Sequence, residues 1–338
     1  MIKRFFFLAA IAILTWTTCD TDFQIEGEWK DIPVVYAFFS EQDDAWYVRL
    51  EKAFLQPGGN ATQIAQIPDS IYYAENQATV TLQNLRTGQS VNLQRIDGRD
   101  DGIFREEGDF AQAPNILYKA ARTQLNLAGG DAFQITVTRG GETTPAIAQS
   151  VMLEMIEITG LPQSGQMTFG DYTRQARVGW RYFGDAARVL DVRMYFRYLE
   201  TDPANPSQLL NKEIVWELAK AVNREDGVSS QNFILSPAGF YSFLGENLQP
   251  LTTGIRRFDN LVFQVTAGGE EIEQYLQIAN ANIGITSSQS VPVFTNVENG
   301  YGIVSSRYTT FSNNLNLDPR SRDSLYNGSL TKNLGFVP

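Results

Sequence analysis

The most regular feature of the chain is an exchange of apolar and polar residues at every second position. It runs through Trp46 to Glu51, Ala78 to Leu85, Asp131 to Arg139 and Val189 to Leu199, which is the period of a strand with one buried face. Val80 and Leu82 oppose Thr79, Thr81 and Gln83, while Phe133, Ile135 and Val137 point inward. In the fourth stretch Val192, Met194, Phe196 and Tyr198 oppose Arg193, Tyr195 and Arg197, as in an antiparallel sheet with one wet face. Ile32 to Phe39, Ser90 to Ile96, Ile116 to Ala120, Thr173 to Tyr182 and Leu261 to Ala267 also read as strands, and Ala146 to Ile158 reads as one long apolar strand. Turn residues separate them at Ser40 to Asp44, Thr87-Gly88 and Gly140-Gly141, with a loop over Gln56 to Gln63.

Helical signals are few. Ser236-Pro237 followed by Ala238 to Leu248 has Ser at the N-cap, Pro at the first helical position, and Phe240, Phe243, Leu244 and Leu248 along one face. Glu270 to Ala279 is open between strand and helix, with helix favoured, and Ile214 to Ala221 is open between the two. The pattern predicts an all-β fold: an immunoglobulin-like β-sandwich over residues 24–158, lacking the Cys-Trp-Cys mark of antibody domains, then a second β-rich region over 171–338 with one or two short helices. Gly160 to Gly170, with Pro162 and Gly165, breaks both periods, and 159–170 is the expected linker.

The first residues follow another pattern. Lys3 and Arg4 precede an unbroken apolar run from Phe5 to Leu14, which closes on Thr17, Thr18 and Cys19. This is the anatomy of an export signal over residues 1–18, too short in its apolar core for the ~20 residues that span a bilayer. Cys19 is the single cysteine of the chain and stands where a lipoprotein signal is cut, so it is the expected lipid attachment site, followed by a polar tether over 19–30. Trp16 and Thr18 depart from the usual aliphatic and small residues at those positions, which leaves an ordinary secretory signal with a chance cysteine as the alternative. An odd cysteine in an exported chain otherwise lacks a role.

Composition then narrows the chemistry. The formal charge is −11, or −13 once Lys3 and Arg4 leave with the signal, which disfavours nucleic acid and anionic lipid as partners. With no histidine and its one thiol blocked, the chain lacks the residues of Ser-His-Asp and Cys-His nucleophiles and of His- or Cys-based zinc sites. Carboxylate chemistry and oxygen-ligated calcium remain. Asp97 to Gly102 places three carboxylates and two glycines within six residues, without the ligand spacing of an EF-hand; a solvated turn is the plainer reading. Glu270, Glu271 and Glu273 show no opposing carboxylate. No catalytic residue, metal ligand or cofactor site is assigned. If Tyr195 faces outward with Arg193 and Arg197, those three are the first candidates for a partner or glycan contact, since Tyr and Arg are enriched at interfaces.

From Val293 to Tyr308 the chain reads Val-Phe-Thr-Asn-Val-Glu-Asn-Gly-Tyr-Gly-Ile-Val-Ser-Ser-Arg-Tyr. With the export signal and the β-rich body, this resembles uncharacterised surface lipoproteins of Bacteroidetes-type bacteria, a domain-of-unknown-function family often encoded beside TonB-dependent receptors. The distinctive stretch is residues 296–307, with Asn296, Asn299, Gly300 and Gly302 at its turn; taken bottom-up, Asn299 to Gly302 is a tight structural turn. The resemblance implies placement at the outer membrane, with Asp20 and Asp22 similar to acidic surface-export signals, and it brings no enzymatic activity. Asp69-Ser70-Ile71 and Asp323-Ser324-Leu325 resemble the short O-glycosylation motif of such bacteria, or are plain loops. The expected function is a non-enzymatic, lipid-anchored binding or accessory subunit of the outer membrane acting with a TonB-dependent receptor in nutrient uptake. The alternatives are a structural or adhesion protein of the envelope and a carboxylate-dependent glycan hydrolase.

Overall fold

A computed structural model describes residues 31–53, 60–141, 143–282 and 293–338. The signal, Cys19 and the whole of the tether, residues 1–30, lie outside the described residues.

The fold is all-β, and its first eight strands build the expected sandwich. They are β1 (Pro33–Phe39), β2 (Ala45–Lys52), β3 (Ala78–Asn84), β4 (Ser90–Asn92), β5 (Gln94–Asp97), β6 (Ile116–Ala121), β7 (Ala132–Arg139) and β8 (Ala146–Val151), with two short helices, α1 (Ala61–Ala65) and α2 (Pro68–Ile71), between β2 and β3. One sheet runs β1-β2-β6-β5 and the other β4-β3-β7-β8, the A-B-E-D and C′-C-F-G orders of an immunoglobulin-like sandwich. The expected single strand from Ser90 to Ile96 is two, because Leu93 turns its side chain into the core while its N–H still bonds the Val80 carbonyl, and the chain crosses from one sheet to the other there. Alternate residues fill the space between the sheets: Val35, Ala37 and Phe39 against Val80, Leu82, Phe133, Ile135 and Val137. At the centre Phe39 packs 5.4 Å from Trp46 and 5.1 Å from Phe133, and the Trp46 indole donates to the Leu125 carbonyl at 2.9 Å.

A buried polar knot ties the turn after β3 to the loop before β7. The Asp131 carboxylate accepts from Asn84 Nδ2 at 2.8 Å, Ala128 N at 3.0 Å and Arg86 Nη2 at 3.0 Å. Asn84 Oδ1 in turn accepts from the N–H groups of Arg86 and Thr87 at 2.9 and 3.1 Å. The Arg86 guanidinium, helped by the N–H donors, holds the Asp131 carboxyl below the usual carboxylate range. A carboxylate depressed in this way stabilises the fold above its unfolded pKa of ~3.9 and loses that contribution as the pH falls through the lower folded value. Asp131→Asn is therefore expected to cost about 1–3 kcal/mol at pH 7, with the deficit shrinking as the pH drops below ~4. Urea midpoints of the two proteins across that range check this; a deficit independent of pH contradicts it.

The chain then leaves the sandwich earlier than the apolar pattern predicts. The expected strand over Ala146 to Ile158 is broken into β8 and β9 (Ile156–Thr159). Met152 and Leu153 between them are both buried but in different cores, so a single pleated strand would strand one of them. Nor is 159–170 a free linker. Its β10 (Gln166–Met167) pairs in parallel with β18 (Asn316–Leu317), and the Phe169 N–H donates to Ser321 Oγ at 2.6 Å while its ring stacks on Phe240 at 4.3 Å. Glycine and proline break the period here without freeing the backbone from packing.

The second region adds β11 (Ala176–Tyr182), β12 (Val189–Asp202), β13 (Asn205–Asn223), β14 (Ser230–Leu235), α3 (Pro237–Asn247), β15 (Arg256–Gly268), α4 (Glu270–Asn282), β16 (Val297–Glu298), β17 (Tyr301–Phe311) and α5 (Pro319–Asn327). Ile214 to Ala221 lies in β13, and Glu270 to Ala279 is helical. Ser236 caps α3, its Oγ accepting from the Gly239 N–H at 3.0 Å. Asp318-Pro319 opens α5 by the same device, the Asp318 side chain accepting from the Ser321 N–H at 2.8 Å. Among the described residues the second region thus holds three α-helices, against the one or two expected there, and the sandwich region adds α1 and α2.

The two regions are not separate sheets. β13-β12-β15-β17-β1-β2-β6-β5 form one eight-stranded sheet. β17 joins the halves: Tyr301 to Ser306 pair in parallel with Val34 to Phe39, and Arg307 to Phe311 pair antiparallel with Gln264 to Gly268. β16 pairs with β8 on the opposite sheet, and Val297 and Val304 lie in the sandwich core. The expected span 24–158 therefore omits two strands that the sandwich contains, strands that cover what would be its exposed edges.

Candidate binding face

The side of the eight-stranded sheet turned away from the cores carries the candidate residues. On β1 the outward positions are Tyr36 and Phe38, 39% and 42% exposed, and at the end of β17 Phe311 is 58% exposed. Tyr36 sits in register with Ile303 on one side and Arg49 on the other. Burial, with the negative charge of Glu51 behind it, pushes the Tyr36 phenol above its ordinary value, so it stays neutral. Beside it Glu51 accepts from Arg105 Nη1 at 2.7 Å and pairs with Arg49 at 3.4 Å; Arg105 also donates to the Tyr72 hydroxyl at 3.1 Å and stacks 4.4 Å from the Phe110 ring. The N-terminal turn of α4 covers the neighbouring part of β17, where Glu271 accepts from Ser305 Oγ at 2.7 Å and Ser150 Oγ at 3.0 Å. Glu271 is thereby fixed as an anchor for the helix.

The three residues predicted from alternation are brought together on this face. Arg197 pairs with Glu213 at 2.7 Å, Arg193 with Glu217 at 3.4 Å, and the Tyr195 hydroxyl bonds Gln264, whose strand partner is Phe311. Their charges are matched across to β13, so they frame the exposed rings as a neutral polar ladder.

Next to Phe38 the loop between β1 and β2 opens a groove of about 690 Å³, lined by Phe38, Tyr47, Lys119, Asp43, Asp44 and Arg307. Asp43 accepts from the Ser40 N–H at 3.2 Å and from Arg307 Nη2 at 3.0 Å. Lys119 donates to Asp101 at 2.6 Å, and the Tyr47 hydroxyl donates to the same carboxylate at 2.9 Å. Lys119 and then Tyr47 hold the Asp101 carboxyl below its usual range.

This also places the acidic loop 97–102. Gly98 to Asp101 form one 3₁₀ turn, the Asp97 carboxyl is held at about 2 chiefly by Arg99, and Asp101 belongs to the groove's polar framework. Among the described residues no group of three or more Asp, Glu, His or Cys is placed to hold a metal ion.

The family-like turn is structural in its contacts. Asn296 acts as a piece of backbone: Oδ1 accepts from Val304 N at 2.9 Å, and Nδ2 donates to the Val304 and Gln149 carbonyls at 2.7 and 3.2 Å. Asn299 adopts a positive φ of 57° and donates to the Pro145 carbonyl at 3.1 Å. Gly300 and Gly302 pass against the β1 backbone at Pro33 and Val35. Ser70 and Ser324 lie half-buried in α2 and α5 rather than in loops.

Sequence reasoning missed Tyr36 and Phe38, because aromatics on both faces of Ile32 to Phe39 hide the alternation. It also missed the groove, whose residues come from β1, the loop after it, β2, β6 and β17.

No family model matches the chain, and no curated protein matches it. Among solved structures it aligns with a Ca2+-stabilised adhesin with which an Antarctic bacterium reaches out and binds ice, at 11% identity over 86% of this chain and 49% of that one, with a TM-score of 0.20. A 1.5-MDa bacterial ice-binding adhesin aligns at 11% identity over 86% and 66%, TM-score 0.19. CBD12 from CALX1.2 aligns at 11% over 73% and 87%, TM-score 0.19. The chain spans about half and about two thirds of the two adhesin structures. Superpositions this poor carry no argument about function.

Proposed function

We propose that this chain is a non-enzymatic binding subunit of the cell envelope, held at the outer membrane by lipid on Cys19 and acting with a TonB-dependent receptor in uptake. The observation that supports a binding role is the exposure of Tyr36, Phe38 and Phe311 on β1 and β17, interior strands of the large sheet. Large rings held on a rigid strand and left open to water are the groups that carry energy at interfaces. The paired charges of Arg193, Arg197, Arg49 and Arg105 around them supply a polar rim. No helix among the described residues is long and apolar enough to cross a membrane, and the anchor is assigned to Cys19 on the sequence alone.

The test is co-purification in mild detergent. The lipidated chain should bring down a large β-barrel receptor, Cys19→Ala should leave the membrane fraction while staying folded, and Tyr36→Ser with Phe311→Ser should weaken receptor recovery at least tenfold with the thermal midpoint little changed. Receptor recovery indifferent to the double variant removes this face from the reading, and absence of any receptor removes the partnership.

A further inference from the structure

We propose that the groove beside Phe38 is a binding site for an uncharged oligosaccharide. The inference rests on the reading of the outer face as a binding surface and assigns one ligand class to one part of it. Its volume of about 690 Å³ lies within the ~300–1,000 Å³ of small-molecule sites, but the argument is the chemistry of the lining.

Phe38 stands at 42% exposure on β1, a strand paired on both sides, in parallel with β17 and antiparallel with β2. Continuing the β1–β2 register by one more pair on the same face sets Phe38 across from Tyr47. Among the described residues no other aromatic ring or cation stacks on Phe38. An aromatic face is negative, and the C–H face of a pyranose ring is weakly positive, so the two stack without any ionic charge on the ligand. The ring is held by the sheet before the ligand arrives, which removes part of the ordering cost of binding.

The polar groups around it suit hydroxyls. Every sugar hydroxyl both donates and accepts, and the lining presents acceptors on Asp43 and Asp44 together with donors on Arg307 and Lys119. Three of these are fixed in place, Asp43 by the Ser40 N–H, Arg307 by Asp43, and Lys119 by Asp101. With Asp101 held on Lys119, three carboxylates stand against two cations at the groove, so it has no pull on an anion, and a chain of formal charge −11 disfavours polyanions generally.

Two other grooves lack one half of this combination. The cavity of about 290 Å³ bordered by Glu154, Asp185, Glu270 and Glu271 is strongly acidic and has no aromatic ring. The groove of about 520 Å³ at the β12–β13 turn is lined by Pro203, Pro206, Leu209 and Leu251, again without a ring.

Affinity electrophoresis of the full mature chain through gels containing starch, mixed-linkage β-glucan or mannan tests the proposal, with pectin as the anionic comparison. At least one neutral polymer should retard the protein and pectin should not. Phe38→Ala should weaken the retardation at least tenfold, Phe38→Trp should preserve it, and Phe183→Ala, an exposed ring outside the groove and outside the binding face, should leave it unchanged. No retardation by any neutral polymer, retardation by pectin alone, or retardation that survives Phe38→Ala overturns the saccharide site. Receptor recovery lost in the Tyr36/Phe311 variant while no polysaccharide binds would leave the receptor reading standing and only the saccharide assignment refuted; saccharide binding without a receptor gives the converse.

Discussion

Gly302→Ala is expected to destabilise the protein by about 3 kcal/mol or more, among the largest effects of any single methyl group in the chain. Gly302 has a φ of +119°, and a Cβ built on it would overlap the carbonyl oxygen of Val35. The backbone strain alone is of order 1–3 kcal/mol for an L-residue. The overlap adds to it, since Val35 cannot retreat: it lies in β1, between β17 and β2, with its side chain buried. Gly88→Ala is the control. Gly88 also has a positive φ, +74°, but nothing lies within 4 Å of its added Cβ, so its cost is expected to stay near 1 kcal/mol. Denaturant midpoints of the two variants separate strain from collision, and equal midpoints would show that the β1–β17 contact yields.

A fragment of residues 24–158, the whole of the sandwich as read from the sequence, is expected to be barely stable. It contains β1 to β8 in their full A-B-E-D and C′-C-F-G order, yet it lacks β16 and β17. Without them β1 and β8 lose their outer partners and Val297 and Val304 leave the core. Each buried valine contributes about 1.5–3 kcal/mol, so the loss is a large part of the ~5–15 kcal/mol that stabilises an ordinary domain. Exposed edges also invite pairing between copies. A synthetic peptide of residues 293–308 should raise the fragment's thermal midpoint by restoring both edge strands. A fragment that melts with the intact sandwich and ignores the peptide would show that β16 and β17 only decorate it.

Several elements were legible because a local rule sufficed. The alternation of Val192, Met194, Phe196 and Tyr198 placed four residues in the core and Arg193, Tyr195 and Arg197 outside it. Ser236-Pro237 announced α3. The same signal at Asp318-Pro319 announced α5 equally well and passed unread. Ala146 to Ile158 misled because its apolar run has no break, although it serves two cores in turn. The linker misled for the opposite reason: its glycines and proline are real, but Met167 and Phe169 between them are buried. Turn chemistry reports where the backbone bends and says nothing about what packs on the bend.

The amino-acid sequence by itself determined the all-β class, the inward faces of the alternating strands and the placement of a tight turn at Asn299 to Gly302. These follow from interactions within a few residues: pleat periodicity, capping and the φ that glycine permits. Only the tertiary structure decided that the turn delivers β17 to the side of β1, 267 positions earlier at each pair from Val34↔Tyr301 to Phe39↔Ser306, making one sheet of two regions. The same long-range pairing gathered Phe38, Tyr47, Lys119 and Arg307 into one groove. Such contacts bring together segments whose local sequences carry no mark of each other, because parallel pairing is fixed by the packing of the whole core rather than by any turn that joins the strands.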